Sequence, residues 1–262
     1  MYKSAAMRRF FRDVIVRLDH KALGDLESLL KSYSDKARFE KRLANFLMEH
    51  KVDSFLRDKF GNTILHLAVM EGDFNEAWRA ITDGVKVNAT NDKGLTALHC
   101  AVEFNHSKLV NFLLNARADI EAQDLKGKSP LVYAVEKNCS ELILHELISY
   151  GADPYTIDKL GNGLLHYASQ TEMIDSLNCL LLNINMQNSY GETALHRAAA
   201  RGNYEMVGCL LANGADSRVL TDKGQTAKDV AIEKEYFEIA SLLHTDQKCY
   251  KVKLKNFVVQ AS

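Results

Sequence analysis

The chain reads as an all-α repeat solenoid built from short helix-turn-helix units, and three observations predict this. A glycine turn recurs at Gly61, Gly94, Gly127, Gly161, Gly191 and Gly224, at spacings of 33, 33, 34, 30 and 33 residues. Each of the first five turns is followed by a short apolar stretch with alanine in one fixed slot: Ala68, Ala101, Ala134, Ala168 and Ala198. A second apolar pattern follows at helical spacing, as in Leu113-Leu114, Leu147-Ile148 and Leu210-Leu211. A period of this size marks a unit that cannot bury its apolar face alone and therefore stacks on its neighbours.

The elements of one unit follow in order. In DKFGNTILHLAVMEGD (from 58), NDKGLTALHCAVEFNH (91), DLKGKSPLVYAVEKNC (124), DKLGNGLLHYASQTEM (158) and NSYGETALHRAAARGN (188), the glycine occupies a tight turn at positive φ. Thr63, Thr96, Ser129, Thr193 and Thr226 then open the first helix as hydroxyl caps. Repeat four has Gly163 there, which predicts the weakest helix start. The alanines keep one helical face small so that adjacent units approach closely. A left-handed residue must join the two helices, and Gly72, Asn105, Asn138 and Gly202 are the types that tolerate it, whereas Glu172 in repeat four breaks the rule. Repeat four is also three residues short and lacks the Gly-Ala element present as Gly151-Ala152 and Gly214-Ala215.

These stretches resemble the unit of the ankyrin-repeat family, D-x-x-G-x-T-P-L-H-x-A-A-x-x-G followed by an apolar helix ending L-L-x-x-G-A, over roughly residues 50–245. The resemblance implies an ankyrin-type stack of helix-turn-helix units joined by short β-hairpin loops. Only Ser129-Pro130 keeps the family's proline. That drift is similar to the divergent members that intracellular bacteria and poxviruses direct against host cells, which implies the cytoplasm, that of a host for a secreted effector, as the place of action.

The ends depart from the repeat. Residues 1–57 hold Gly24, Leu26, Leu29 and Leu30 in a half-unit pattern, then Phe39, Leu43, Phe46 and Leu47 on one helical face. They predict a divergent helical N-terminal cap, with a separate helical domain as the alternative. The repeats occupy 58–245, about six units, and the last places Lys228-Asp229 where a following repeat would pack. In the tail, 246–262, YKVKLKNFVVQ alternates with period two, as a solvated tail or the start of a further region does.

Composition narrows the function classes. Lys plus Arg number 33 against 34 Asp plus Glu, with 13 basic and 8 acidic residues in 1–57. This mild asymmetry lacks the dense basic footprint of a nucleic-acid binder, and the basic stretches lack interleaved aromatics, so neither nucleic acid nor membrane is expected as a partner. No apolar run reaches bilayer length, and Arg12, Asp13 and Arg17 interrupt the first apolar stretch. The five cysteines, 100, 139, 179, 209 and 249, form no CxxC, so free thiols are expected and no metal site. His99-Cys100 suggests a nucleophile or ligand pair, but His99 shares its slot with His66, His166, His196 and Val132, and a slot that accepts valine is structural. No phosphate loop, HExxH or GxSxG is present. The reading is therefore no catalytic residue, no cofactor and a monomeric chain.

A repeat solenoid presents a concave surface of hairpin tips and first-helix residues. Unusual tip residues mark the expected binding site for a protein partner of unknown identity: Phe60, Lys93, Leu95, Leu125, Lys126, Leu160 and Tyr190, joined by Met70, Phe104 and Arg201 from the first helices. Asn62, Lys128 and Glu192 are expected at the same tips. Large apolar groups amid charges are what an interface hot spot needs. The alternative is the ankyrin-bearing part of a larger effector or enzyme whose activity lies elsewhere.

Overall fold

The structure, a computed structural model, describes residues 57–169 and 183–244. Among the described residues there are eleven helices and no β strand. The expected hairpins are turns, each closed by two backbone bonds: the Asp58 amide donates to the Asn62 carbonyl and the Asn91 amide to the Leu95 carbonyl, both at 2.9 Å, and the Gly61 and Gly94 amides donate back to the Asp58 and Asn91 carbonyls at 3.0 and 2.9 Å. The expected N-terminal cap (Arg57 apart), Glu172 with the second helix of repeat four, and the tail from 246 lie outside the described residues.

The chain divides after Leu125 into two compact units. In the first, α1 (Ile64–Met70) packs on α2 (Phe74–Thr82) and on α3 (Ala97–Glu103), and α3 packs on α4 (Ser107–Asn115). The second holds α5 (Pro130–Glu136), α6 (Glu141–Ser149), α7 (Leu164–Ala168), α8 (Ala194–Arg201), α9 (Tyr204–Ala212), α10 (Ala227–Glu233) and α11 (Phe237–Leu242). There α5 packs on α6 and α7, α7 on α8, α8 on α9 and α10, and α11 closes against α9 and α10.

Helices of five to nine residues do not persist alone in water, so packing stabilises them. The slot alanines 68, 101, 134, 168 and 198 are fully buried, and Leu113, Ile143, Leu147 and Leu210 fill the second layer. Gly72, Asn105, Asn138 and Gly202 join helix pairs at φ between 52 and 74°, as their residue types predict. Glu235 takes the same conformation in the last pair, at φ 64°. After the second helices Gly84, Gly151 and Gly214 turn the chain at positive φ, but after α4 the turn is made by Arg117 at φ 62°. A Cβ at any of those three glycines would meet nothing within 4 Å, so arginine there meets backbone strain without a clash.

The tip glycines answer a second demand besides φ. A Cβ on Gly94 would lie 2.7 Å from the Leu125 amide nitrogen, and one on Gly191 the same distance from that of Asp222. Successive hairpins can touch only because the side chain is missing.

Candidate functional site

The tips are built by one buried polar slot. Asp58 Oδ1 accepts the amides of Phe60 and Asn62, both at 2.8 Å, and Asn91 Oδ1 those of Lys93 and Leu95 at 2.9 and 3.0 Å. In the second unit Asp158 does the same for Leu160 and Asn162, and Asn188 for Tyr190 and Glu192. A carboxylate or amide that gathers two amides curls the backbone around itself. The residue before each tip glycine then turns its amide inward and its side chain to water.

Hairpins are joined by single rungs. In the first unit the Asp92 amide donates to the Phe60 carbonyl and the Leu125 amide to that of Lys93, both at 3.0 Å. In the second, Lys159 donates to Lys126 at 2.9 Å, Ser189 to Leu160 at 2.8 Å and Asp222 to Tyr190 at 3.0 Å. Within each unit the tips therefore form a continuous row. Arg57 and Gln187 clip these rows from the side: Gln187 Nε2 donates to the carbonyls of Gly191 (2.8 Å) and Leu220 (2.9 Å), and Arg57 donates to those of Gly61 and Thr90.

Most of the expected tip residues do face water. Phe60, Phe104, Leu125, Leu160 and Tyr190 keep between 45 and 62% of their surface, and Lys93, Lys126 and Arg201 are exposed. Lys59 Nζ lies 5.1 Å from the Phe60 ring centroid, a cation–aromatic contact at the tip itself, and the Phe104 ring stacks on His106 at 6.3 Å. Met70, at the end of α1, is half-buried.

Leu95 is a correction: it is only 5% exposed and belongs to the core. Asn62 and Lys128 are buried at the equivalent position, and Glu192 is half-buried. The physical reason lies in the turn. The residue after the glycine supplies the carbonyl that closes the hairpin, so its side chain points back between neighbouring hairpins. Asn62 uses that position to join repeats one and two, donating to Asp58 Oδ2 (2.9 Å) and accepting from Asn91 Nδ2 (2.8 Å). Asn162 repeats the arrangement between Asp158 and Asn188, with both bonds at 2.8 Å.

The histidine slot is a structural link. The Thr63 amide donates to His66 Nδ1 at 3.2 Å, so that nitrogen carries no proton and Nε2–H donates to the Leu95 carbonyl of the next repeat at 2.8 Å. His166 and His196 reach the Glu192 and Gln225 carbonyls at 3.0 and 3.2 Å in the same way. Burial lowers all three histidines, His66 to about 4, so the rings stay neutral. The hydroxyl caps serve these rings first: Thr63 Oγ1 lies 2.8 Å from His66 Nδ1 but 3.5 Å from the amide it was expected to cap. Ser129 is a second correction. With Val132 in the histidine slot there is no ring to orient its hydroxyl, which is buried without a hydrogen-bond partner. Cys100 is fully buried, and burial, helped by Glu103, pushes its thiol up to about 12. A thiolate nucleophile does not form there at neutral pH.

Repeat three supplies other polar contacts. Lys128 Nζ pairs with Glu136 Oε1 at 2.7 Å and lies 4.8 and 5.9 Å from the ring centroids of Tyr167 and Tyr133. The Tyr167 hydroxyl donates to Asp158 Oδ2. Burial opposes ionisation of Asp158, yet the bonds from Asn162, Tyr167 and the Leu160 amide outweigh it and hold the carboxyl below its ordinary range. Burial and that same carboxylate raise the Tyr167 phenol.

Sequence reasoning named tips and first-helix residues and missed an aromatic patch on the second helices of the first unit. Phe74 and Trp78 are exposed one turn apart on α2, and the Phe74 ring meets Phe112 of α4 at 4.9 Å. The signal was their four-residue spacing on a face that is otherwise polar. Among the described residues no three His, Cys, Asp or Glu side chains converge as metal ligands, and no helix is long and apolar enough to cross a membrane.

A family model for ankyrin repeats matches three times, over residues 36–124, 84–158 and 165–254. A B-cell lymphoma 3 protein homolog of Mus musculus is 31% identical over 185 residues, covering 68% of this chain and 41% of its own length. Neurogenic locus notch homolog protein 1 of Xenopus laevis is 32% identical over 190 residues, 71% of this chain and 8% of that protein. The chain thus spans less than half the length of these relatives. Among solved structures, one of a predatory endopeptidase from Bdellovibrio bacteriovorus in complex with an immunity protein aligns with a TM-score of 0.63 at 30% identity, over 70% of this chain and 97% of the matched one. An ankyrin repeat domain from Acinetobacter baumannii aligns with a TM-score of 0.59 at 28% identity, over 68% and 95%.

Proposed function

Because the chain belongs to the ankyrin-repeat family, we propose that it is a protein-interaction module that grips a partner protein through its hairpin tips and adjoining first-helix residues and performs no catalysis itself. The observation that carries this reading is the exposure of large apolar side chains at the tips, Phe60 and Leu125 in the first unit, Leu160 and Tyr190 in the second. Each stands where buried Asp or Asn hydrogen bonds and interhairpin rungs fix the backbone. Anchors on a rigid backbone lose little entropy when they bind, and a few of them dominate an interface. Lys93, Lys126, Phe104 and Arg201 flank them, with Met70 half-buried behind.

The test is a contrast between surface and core. A partner captured on the wild-type chain and then purified should bind Phe60→Ala or Tyr190→Ala at least about tenfold more weakly, with the melting temperature unmoved. Leu113→Ala should cost about 2–5 kcal/mol of stability instead. Full-strength binding by both tip variants removes the tip surface from the interface. The scarcity of prolines motivates the narrower reading of a monomeric effector acting in a host cytoplasm. That reading requires a eukaryotic partner and a single-chain mass in light scattering.

A further inference from the structure

Charge separates the two units at the surface just proposed. In the first, the tips and first-helix ends carry Lys59 and Lys93 together with Glu71, Asp92 and Glu103, two cations against three carboxylates. In the second, exposed Lys126, Lys159 and Lys223 lie along the tips, and Lys137 and Arg201 at the ends of the first helices. Exposed Asp222 stands among these tips, while the other carboxylates named here are turned onto cations or amides of the same face. Glu136 pairs with Lys128 at 2.7 Å, Glu192 with Arg197 at 3.4 Å, and Glu233 accepts from Gln225 at 2.7 Å. The rungs from Lys159 to Lys126, from Ser189 to Leu160 and from Asp222 to Tyr190 hold the cations and the two apolar anchors in one row.

Resting on the tip-surface reading, we propose that the tip face of the second unit takes an acidic polypeptide segment, in which carboxylates alternate with apolar or aromatic side chains. Leu160 and Tyr190 receive the apolar groups, and Lys159, Lys126 and Arg201 the carboxylates. An extended segment repeats its side chains about every 7 Å on one face, so a row of separate anchors interleaved with cations suits it better than one deep pocket would. A nucleic-acid strand would need aromatic platforms in series along a basic groove, whereas Tyr190 is the sole aromatic among the tip residues of this row.

A labelled peptide on the order of a dozen residues, alternating Glu with Leu and Phe, serves as probe. It should bind the full chain, and its affinity should fall at least about threefold when salt is raised from about 0.05 M to about 0.5 M. Lys159→Glu with Arg201→Glu should weaken it at least about tenfold, Tyr190→Ala should do likewise, and Lys86→Glu with Lys108→Glu, a reversal of exposed first-unit lysines outside the tips, should leave it unchanged. Melting temperatures keep folding out of the comparison, since all these side chains are exposed. Equal affinity for the same peptide with Lys in place of Glu, or tighter binding of an oligothymidylate or of phosphatidylserine vesicles, overturns the proposal. A captured partner lost on Tyr190→Ala but retained by the double charge reversal leaves the tip surface intact and refutes only the acidic occupant. Retention by both refutes the two together.

Discussion

The junction between repeats one and two and that between repeats three and four bring equivalent helices together by different chemistry. The first is bridged by a neutral ring and an amide: His66 bridges Thr63 to the Leu95 carbonyl, and Asn62 bridges Asp58 to Asn91. In the second, Val132 replaces the histidine and Lys128 the asparagine. The contacts become Lys128 with Glu136, the Tyr133 and Tyr167 rings around Lys128, and the Tyr167 hydroxyl on Asp158. In both, a single hairpin rung of 2.9 to 3.0 Å holds the spacing. The difference teaches that the alanine slot and the glycine rung set the geometry, while the polar groups need only leave few buried donors and acceptors unmatched.

The largest expected effect breaks the first junction with acid. The unfolded His66 ring takes up a proton near pH 6.5, the folded ring only at about 4. Between those values the unfolded chain binds more protons, so stability is complete above pH 6.5 and falls as pH drops toward 4. The His66 contribution is on the order of 3 kcal/mol, and His166 and His196 act in the same direction. Urea unfolding at about pH 7 and pH 4.5 should show a clearly smaller acid loss in His66→Gln than in wild type; parallel losses would mean that the ring is protonated in the folded state.

Tyr167→Phe breaks the second junction. It removes one donor from Asp158 and leaves the rings around Lys128 in place, at an expected cost of about 1–2 kcal/mol at neutral pH. The cost should shrink in acid as Asp158 takes up a proton. An unchanged melting temperature would assign that junction to the Lys128–Glu136 pair and packing alone.

The smallest effect sharpens the comparison. Thr96→Ala should lose about 0.5–2 kcal/mol, because its hydroxyl lies 2.9 Å from His99 Nδ1 and also caps the helix. Ser129→Ala should lose nothing and can gain up to about 1 kcal/mol, since its buried hydroxyl has no partner. Equal losses in thermal unfolding would show that the Ser129 hydroxyl makes a hydrogen bond in the folded chain.

The repeat period, the glycine turns, the alanine slot and the structural role of His99-Cys100 were legible in the amino-acid sequence. Each rests on a local rule repeated in register: only glycine tolerates the tip turn, only a small residue lets helices approach, and a slot that accepts valine carries no chemistry. Most of the candidate surface was legible for the same reason, since the residue before a tip glycine always points outward. Leu95, Asn62 and Lys128 were not, because the direction of the residue after the glycine is set by the neighbouring hairpin. The tertiary structure alone decided which polar groups meet across a junction, such as Asn62 with Asn91 or Tyr167 with Asp158. Those partners lie nine to twenty-nine residues apart. Only the stacked backbone, held by rungs that glycine permits, brings them within hydrogen-bonding reach.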